Sequence, residues 1–174
     1  DATLRNNWRF DVNPIAIEIG GRSVNALRGG PSLRQNTWHN SFVNLSSDAR
    51  KRLSLSFSGN VGGRFGSPES SAGASLGATV RPNASVSTRL NVRYNTRRDP
   101  EQWVTRRTIG GTTRYVLASI RQQTLDTNVR VDWTISPELS FQLYGQPFIS
   151  AGDYSSYLEV EDPDAARRAD RFFM

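Results

Sequence analysis

The sequence has no cysteine, one lysine (Lys51), one histidine (His39) and no long apolar run. Without cysteine the chain has neither a disulfide framework nor a thiolate metal site. A single histidine argues against a zinc centre, and it leaves one candidate for the base of a catalytic triad. No stretch approaches the roughly 18 apolar residues that a transmembrane helix needs.

Regular alternation of apolar and polar residues is the main feature that is present, although only 36% of the residues are hydrophobic. Five stretches alternate in this way over about ten positions, and residues 125–135 are the clearest. Because a β-strand sends successive side chains to opposite faces, this stretch predicts one apolar face and one face carrying Asp126, Arg130 and Asp132. Ten residues is also the length of a strand that crosses a bilayer.

The alternation predicts an all-β fold, an antiparallel up-and-down transmembrane β-barrel. Residues 1–174 are expected to form one segment of a larger barrel, with strands missing at one end or both. Within it, residues 22–36 are expected to be irregular and residues 152–174 to form a loop-like tail. Short turns at 46–48, 81–83, 110–111 and 136–138 are predicted at one rim, and loops at 66–72, 95–101 and from 150 onward at the other. A soluble carbohydrate-binding β-sandwich also alternates, although its strands are usually shorter.

The net charge of +6 comes almost entirely from arginine. The arginines are dispersed over the polar positions of different strands, which argues against a nucleic-acid interface and favours the wall of a polar lumen. The predicted lumen-facing basic residues are Arg5, Arg9, Arg52, Arg89, Arg93 and Arg130, and the acidic ones are Asp11, Asp126 and Asp132. A net basic lumen would favour anionic or polar solutes if it is open, whereas pairing of these charges would brace a plugged barrel.

The apolar positions of the same strands are predicted to face lipid: Leu53, Leu55, Phe57, Leu90, Val92, Val129, Val131, Phe141 and Leu143. Aromatic residues near strand ends are expected at the membrane interfaces: Trp8, Trp103, Trp133 and Tyr94. The same aromatics are equally compatible with the core or rim of a soluble sheet.

No constellation of acid, base or nucleophile is apparent, so an enzyme is not expected, and no cofactor or metal is predicted. Asp126 and Asp132 share a strand face but are separated by about 20 Å, too far for a glycosidase pair. Four carboxylates follow one another at Glu159, Glu161, Asp162 and Asp164. A calcium site is conceivable there, but the run lacks the glycine and terminal glutamate of an EF-hand loop, which favours a solvated loop. His39 is expected to be structural.

The second half of the chain resembles an uncharacterised family of outer-membrane β-barrels. The resemblance rests on residues 113–120 (TRYVLASI), 123–125 (QTL), 130–133 (RVDW), 136–140 (SPELS), 143–148 (LYGQPF) and 150–154 (SAGDY), with 27–31 (LRGGP) and 47–51 (SDARK) as upstream landmarks. In that family the barrel usually follows a domain similar to family-nine carbohydrate-binding modules. The resemblance implies a location in the outer membrane of a Gram-negative bacterium, and it supplies no catalytic residues.

These observations predict a non-enzymatic outer-membrane β-barrel that acts as a pore, a transport element or a membrane anchor. The expected partners are membrane lipid, an anionic or polar solute and other envelope proteins. A connection with glycan handling rests on the resemblance alone. The alternatives are a scaffold subunit of a cell-envelope complex and the soluble sugar-binding sandwich.

Overall fold

The computed structural model describes residues 2–173, so Asp1 and Met174, the ends of the predicted segment, lie outside the described residues. The chain is built from β-strands and one short 3-10 helix, Arg168–Asp170. The strands are β1 (Ala2–Thr3), β2 (Arg9–Glu18), β3 (Arg22–Ser23), β4 (Leu33–Arg34), β5 (Trp38–Ser46), β6 (Leu53–Arg64), β7 (Ser70–Asn83), β8 (Val86–Ile109), β9 (Thr112–Ser136), β10 (Leu139–Gly145), β11 (Phe148–Val160) and β12 (Phe172–Phe173). The predicted all-β antiparallel fold is confirmed.

Ten of these strands form one antiparallel sheet, in which the long strands follow chain order: β2, β5, β6, β7, β8 and β9. Beyond β9 the neighbours are β10 and β11, and β1 and β12 are short additions at the two sides. The strands β3 and β4 pair only with each other, within the stretch 22–36 that the sequence marks as irregular. In the described part of the chain no pairing joins β2 to β10 or β11, so the sheet is open there.

Two strands are much longer than expected, with 24 residues in β8 and 25 in β9. The loop predicted at 95–101 is wrong, because these residues continue β8 and pair with residues 118–124 of β9. The pairing has two small register shifts, one between Asp99 and Gln102 and one between Trp103 and Thr105. The turn at Gly110–Gly111 therefore lies at the end of the sheet opposite the links at 84–85 and 137–138, so its predicted position is wrong. The links at 47–52, 84–85 and 137–138 do share one end of the sheet.

The next strand is interrupted for two residues only. Gly145 of β10 is opposite Val129 and Phe148 of β11 is opposite Asp126, so both pieces keep one register against β9. Between them, the Thr127 amide donates a hydrogen bond of 3.0 Å to the Pro147 carbonyl. The loop expected from residue 150 and the tail expected from residue 152 therefore begin only after Val160, where β11 ends.

Buried apolar side chains are concentrated at one end of the sheet. Leu117 and Leu158 are directly opposite each other on β9 and β11. They form a cluster with Leu27, Leu33 and Phe172, all nearly inaccessible to solvent. The stretch 22–36 and the segment after β11 thus pack on the far ends of the longest strands. Within residues 2–173, no helix is long and apolar enough to cross a membrane.

Candidate functional site

One face of the sheet is apolar and uncovered. Across the strands, Leu53 is aligned with Val131 and Leu143, Leu55 with Leu90 and Val129, and Phe57 with Val92. Phe141 lies opposite Trp133 in the next row. The nine residues predicted to face lipid therefore share one face, and the seven of them that belong to the large exposed apolar residues are Leu53, Leu55, Phe57, Leu90, Val92, Phe141 and Leu143. We call this surface the apolar band; it runs from the row of Trp133 and Phe141 to the row of Tyr94 and Leu125.

The apolar band extends over the same number of residues on β6 and on β9. On β9 it extends over eight residue steps, from Trp133 to Leu125, which is roughly 26 Å at about 3.3 Å per residue. On β6 it extends over the same number of steps, from Leu53 to Val61. Beyond Leu125 the same face becomes polar, first at Gln123 and then at Arg121.

The apolar band is also slanted relative to the strands. Leu53, where the band begins on β6, is aligned with Val131, whereas on β9 the band begins two residues further along, at Trp133. At the other limit Val61 is aligned with Gln123, two residues past Leu125. The band therefore shifts by two residues over the three strand spacings from β6 to β9, which corresponds to a strand tilt of roughly 25°.

The four predicted interfacial aromatics are not equivalent. Trp133 lies in the row that ends the apolar band near the 137–138 turn, and Tyr94 lies in the row that ends it at the other limit. Trp8 precedes β2 and lines an apolar depression of about 580 Å³ together with Leu55. Trp103 is placed differently: it packs against the buried cluster, with its ring centroid 6.4 Å from that of Tyr115, because β8 continues into the extended part of the sheet.

The opposite face of the same strands is polar and carries most of the predicted charges. Arg93 is directly opposite Asp126, and Arg89 is directly opposite Arg130. Arg130 pairs with Asp132 on its own strand at 3.0 Å. Asp11 accepts a hydrogen bond of 3.4 Å from the Asn44 amide. We call this surface the polar face.

A concave part of the polar face encloses about 680 Å³ and is lined by Arg9 and Arg89 together with Asn91 and Asn128. Two predicted members of this face lie outside the strands. Arg5 is in the turn between β1 and β2, and Arg52 directly precedes β6. The alternation therefore placed four of the six arginines in the strands, and it misplaced the two that lie next to turns.

An ionic network beyond the apolar band was missed by sequence reasoning. Glu69, which is buried, accepts hydrogen bonds from Arg64 at 2.6 Å and from Arg97 at 3.3 Å. Arg64 also lies over the ring of Trp38, at 5.6 Å from its centroid. Glu69 falls in a stretch that reads as a polar loop, so the sequence carries no signal that it joins three strands.

The segment after β11 is held by the buried Arg171 and by an ion pair of the partly buried Glu101. Arg171 is 2% exposed, and its guanidinium donates hydrogen bonds of 2.8 Å to the Arg34 carbonyl and to the Asn36 side chain. It also donates to the carbonyls of Ala165 and Ala166. Glu101 pairs with Arg168 at 2.9 Å. Burial raises the pKa of Glu101, and the attraction of Arg168 opposes this shift without cancelling it.

The candidate carboxylates and His39 have other neighbours in the structure. Within residues 2–173, no three side chains of the His, Cys, Asp and Glu types converge. Glu159 pairs with Arg114 at 2.8 Å, and Asp164 pairs with Arg22 at 2.6 Å, so these members of the acidic run are directed to arginines. His39 packs against Phe65, with ring centroids 4.6 Å apart.

Comparison with known proteins identifies a family over nearly the whole chain. The family model described as "Domain of unknown function (DUF5916)" matches residues 2–171. No curated protein and no solved structure matches the chain.

Proposed function

The chain belongs to this family of unknown function, and we propose that it forms part of the wall of an outer-membrane β-barrel in a Gram-negative bacterium. The apolar band is covered by lipid in this proposal, and the polar face lines the lumen. The barrel acts as a pore, a transport element or a membrane anchor, and neither a cofactor nor a catalytic step is involved.

The observation that carries the proposal is a two-faced sheet whose apolar face is uncovered over one continuous band. Leu55, Leu90 and Leu143 are 43–50% exposed in the absence of lipid. Covering the seven exposed side chains of the band with hydrocarbon contributes on the order of 10 kcal/mol. In the described residues no second sheet faces the apolar band, and this counts against the sandwich alternative.

Band height supports the same proposal. Outer-membrane barrels carry an apolar zone about 25 Å tall between two aromatic girdles. The roughly 26 Å that the band covers along β9 projects to roughly 24 Å at the band's tilt of about 25°. Trp133 and Tyr94 lie in the rows that limit it.

The basic polar face supports passage of an anionic or polar solute. Four of its arginines, Arg9, Arg89, Arg93 and Arg130, face three acidic residues, Asp11, Asp126 and Asp132, which leaves a small positive excess. Rings of charge of one sign select ions of the opposite sign. A connection with glycan handling rests only on the family resemblance.

A scaffold function in an envelope complex is the second candidate, and the length of β8 and β9 favours it. From Leu125 to the beginning of β9 at Thr112 is thirteen residues, or about 43 Å of strand beyond the apolar band. This part of the strands lies outside the hydrocarbon layer, whereas a protein partner outside the membrane can bind to it.

Single cysteines test the proposal, because the chain has no cysteine of its own. In isolated membranes containing the complete protein, Val129→Cys, Asn128→Cys and Glu138→Cys are treated with a membrane-impermeant maleimide. We expect the turn position Glu138→Cys to react and Val129→Cys to react only after the protein is denatured. Equal labelling of Val129→Cys and Glu138→Cys in intact membranes would overturn the proposal.

The neighbouring position separates a pore from an anchor. Asn128 lies on the polar face, one residue from Val129, so it reports whether water fills the lumen. Rapid labelling of Asn128→Cys together with single-channel conductance indicates a pore. No labelling and no conductance, with a second protein co-purifying in equal amount, indicates a plugged barrel that serves as a scaffold.

A further inference from the structure

Two arginines face each other on the lipid side of the sheet, just beyond the apolar band. Arg98 of β8 is directly opposite Arg121 of β9, four residues past the row of Tyr94 and Leu125. Both side chains are exposed. They line a cleft of about 350 Å³. Its other polar residues are Ser70, Ser71, Thr96 and Gln123, and Tyr94 lies at the edge nearest the apolar band.

Within residues 2–173, neither positive charge forms an ion pair. Like charges directly opposite each other on neighbouring strands destabilise a sheet. On the polar face, the equivalent pair of Arg89 and Arg130 is relieved by Asp132 at 3.0 Å. Among the residues that the structure describes, neither Arg98 nor Arg121 has a carboxylate within 4.0 Å. Asp153 is opposite Arg121 in register but remains beyond that distance.

The height of the pair relates it to the lipid headgroups. Four residues along a strand are about 13 Å, or roughly 12 Å along the membrane normal at the band's tilt of about 25°. The polar headgroup layer adds about 5–7 Å on each side of the hydrocarbon. The backbone of the pair therefore lies several Å outside this layer, and the long arginine side chains can extend back into it, where lipid phosphates occur.

We propose that Arg98 and Arg121 bind the phosphate group of a membrane lipid, with Thr96, Gln123 and the serines as neutral donors. Guanidinium groups bind phosphate oxygens through two parallel charge-assisted hydrogen bonds, and two opposed guanidinium groups surround one phosphate. The anion removes the repulsion between the arginines. This inference rests on the proposed function, because it requires the apolar band to lie in lipid.

The chain provides a matched control for a test. Replacing Arg98 and Arg121 by glutamine (R98Q/R121Q) removes two charges from the lipid side, and R89Q/R130Q removes the same two charges from the opposite face. The complete protein is purified in a non-ionic detergent. Its thermal unfolding is followed with added phosphatidic acid, phosphatidylcholine or inorganic phosphate.

We expect phosphatidic acid to raise the unfolding temperature of the wild type and of R89Q/R130Q. In R98Q/R121Q the apparent affinity for this lipid should fall at least tenfold. An equal shift in the two double variants would overturn the site. Stabilisation by inorganic phosphate as strong as that by phosphatidic acid would overturn the lipid as the source of the anion. In either case the labelling pattern of Val129→Cys and Glu138→Cys tests the membrane location separately.

Discussion

A charge in the centre of the apolar band tests the environment of that surface most directly. Leu90 lies two rows from Tyr94 and two rows from the row of Trp133, and it is 43% exposed. Arginine at the midplane of a bilayer costs about 2–4 kcal/mol on the lipid side of a barrel. On a surface in water the same substitution stays within about 0.5 kcal/mol. Leu90→Arg is therefore expected to lower the folded-to-unfolded ratio by about 30-fold or more if lipid covers the band.

The adjacent residue is the matched control. Asn91 belongs to the polar face, so Asn91→Arg adds the same charge to the same strand on its other side. Both variants of the complete protein are reconstituted in phosphatidylcholine vesicles, and their guanidinium unfolding midpoints are compared with that of the wild type. A loss for Leu90→Arg that does not exceed the loss for Asn91→Arg would refute the assignment of the apolar band to lipid.

Two further predictions concern the segment after β11. Arg171→Met leaves buried carbonyls without a donor, at about 1–3 kcal/mol for each unsatisfied group, and is expected to expose the stretch 161–173 to limited proteolysis. Arg167→Met, at an exposed arginine, should not. Because the pKa of Glu101 is raised, its effect on stability is most favourable at low pH and is lost as pH rises through that pKa. Proteolysis from pH 4 to 8 should therefore show the wild type losing resistance relative to Glu101→Gln, and Glu138→Gln, in an exposed turn, should follow the wild type.

The sequence was sufficient for the all-β antiparallel class and for the two faces, because these depend on a period of two residues. Residues 125–135 alternate without interruption, and the whole stretch lies in β9 with its apolar residues on one face. The same reasoning placed Arg93 opposite the apolar positions of its strand. Residues 125–135 pair with β8 on one side and with β10 and β11 on the other. In such a stretch the local pattern and the structure agree.

Strand ends could not be predicted in this way. Residues 95–101 contain three charged side chains in succession and a proline, which indicate a loop when only local sequence is considered. In the structure these residues belong to β8, because Arg97 forms an ion pair with Glu69 and the backbone pairs with β9. Trp103 was assigned to the membrane interface for the same reason. In the structure Trp103 packs against residues from the stretch 22–36, from β9 and from β11. These residues are distant in sequence, so the pattern around Trp103 does not predict the contact.

Chain order in the sheet has a consequence for assembly and for evolution. From β6 to β9 each strand pairs with the strand before it and the strand after it, so every hairpin presents a complete template to the next one. Such a sheet can form by sequential addition, since each step closes only a short loop. A duplicated or deleted hairpin changes the width of the sheet without changing which of the remaining strands pair with each other. The number of strands in this sheet can therefore change while the order of neighbours is kept.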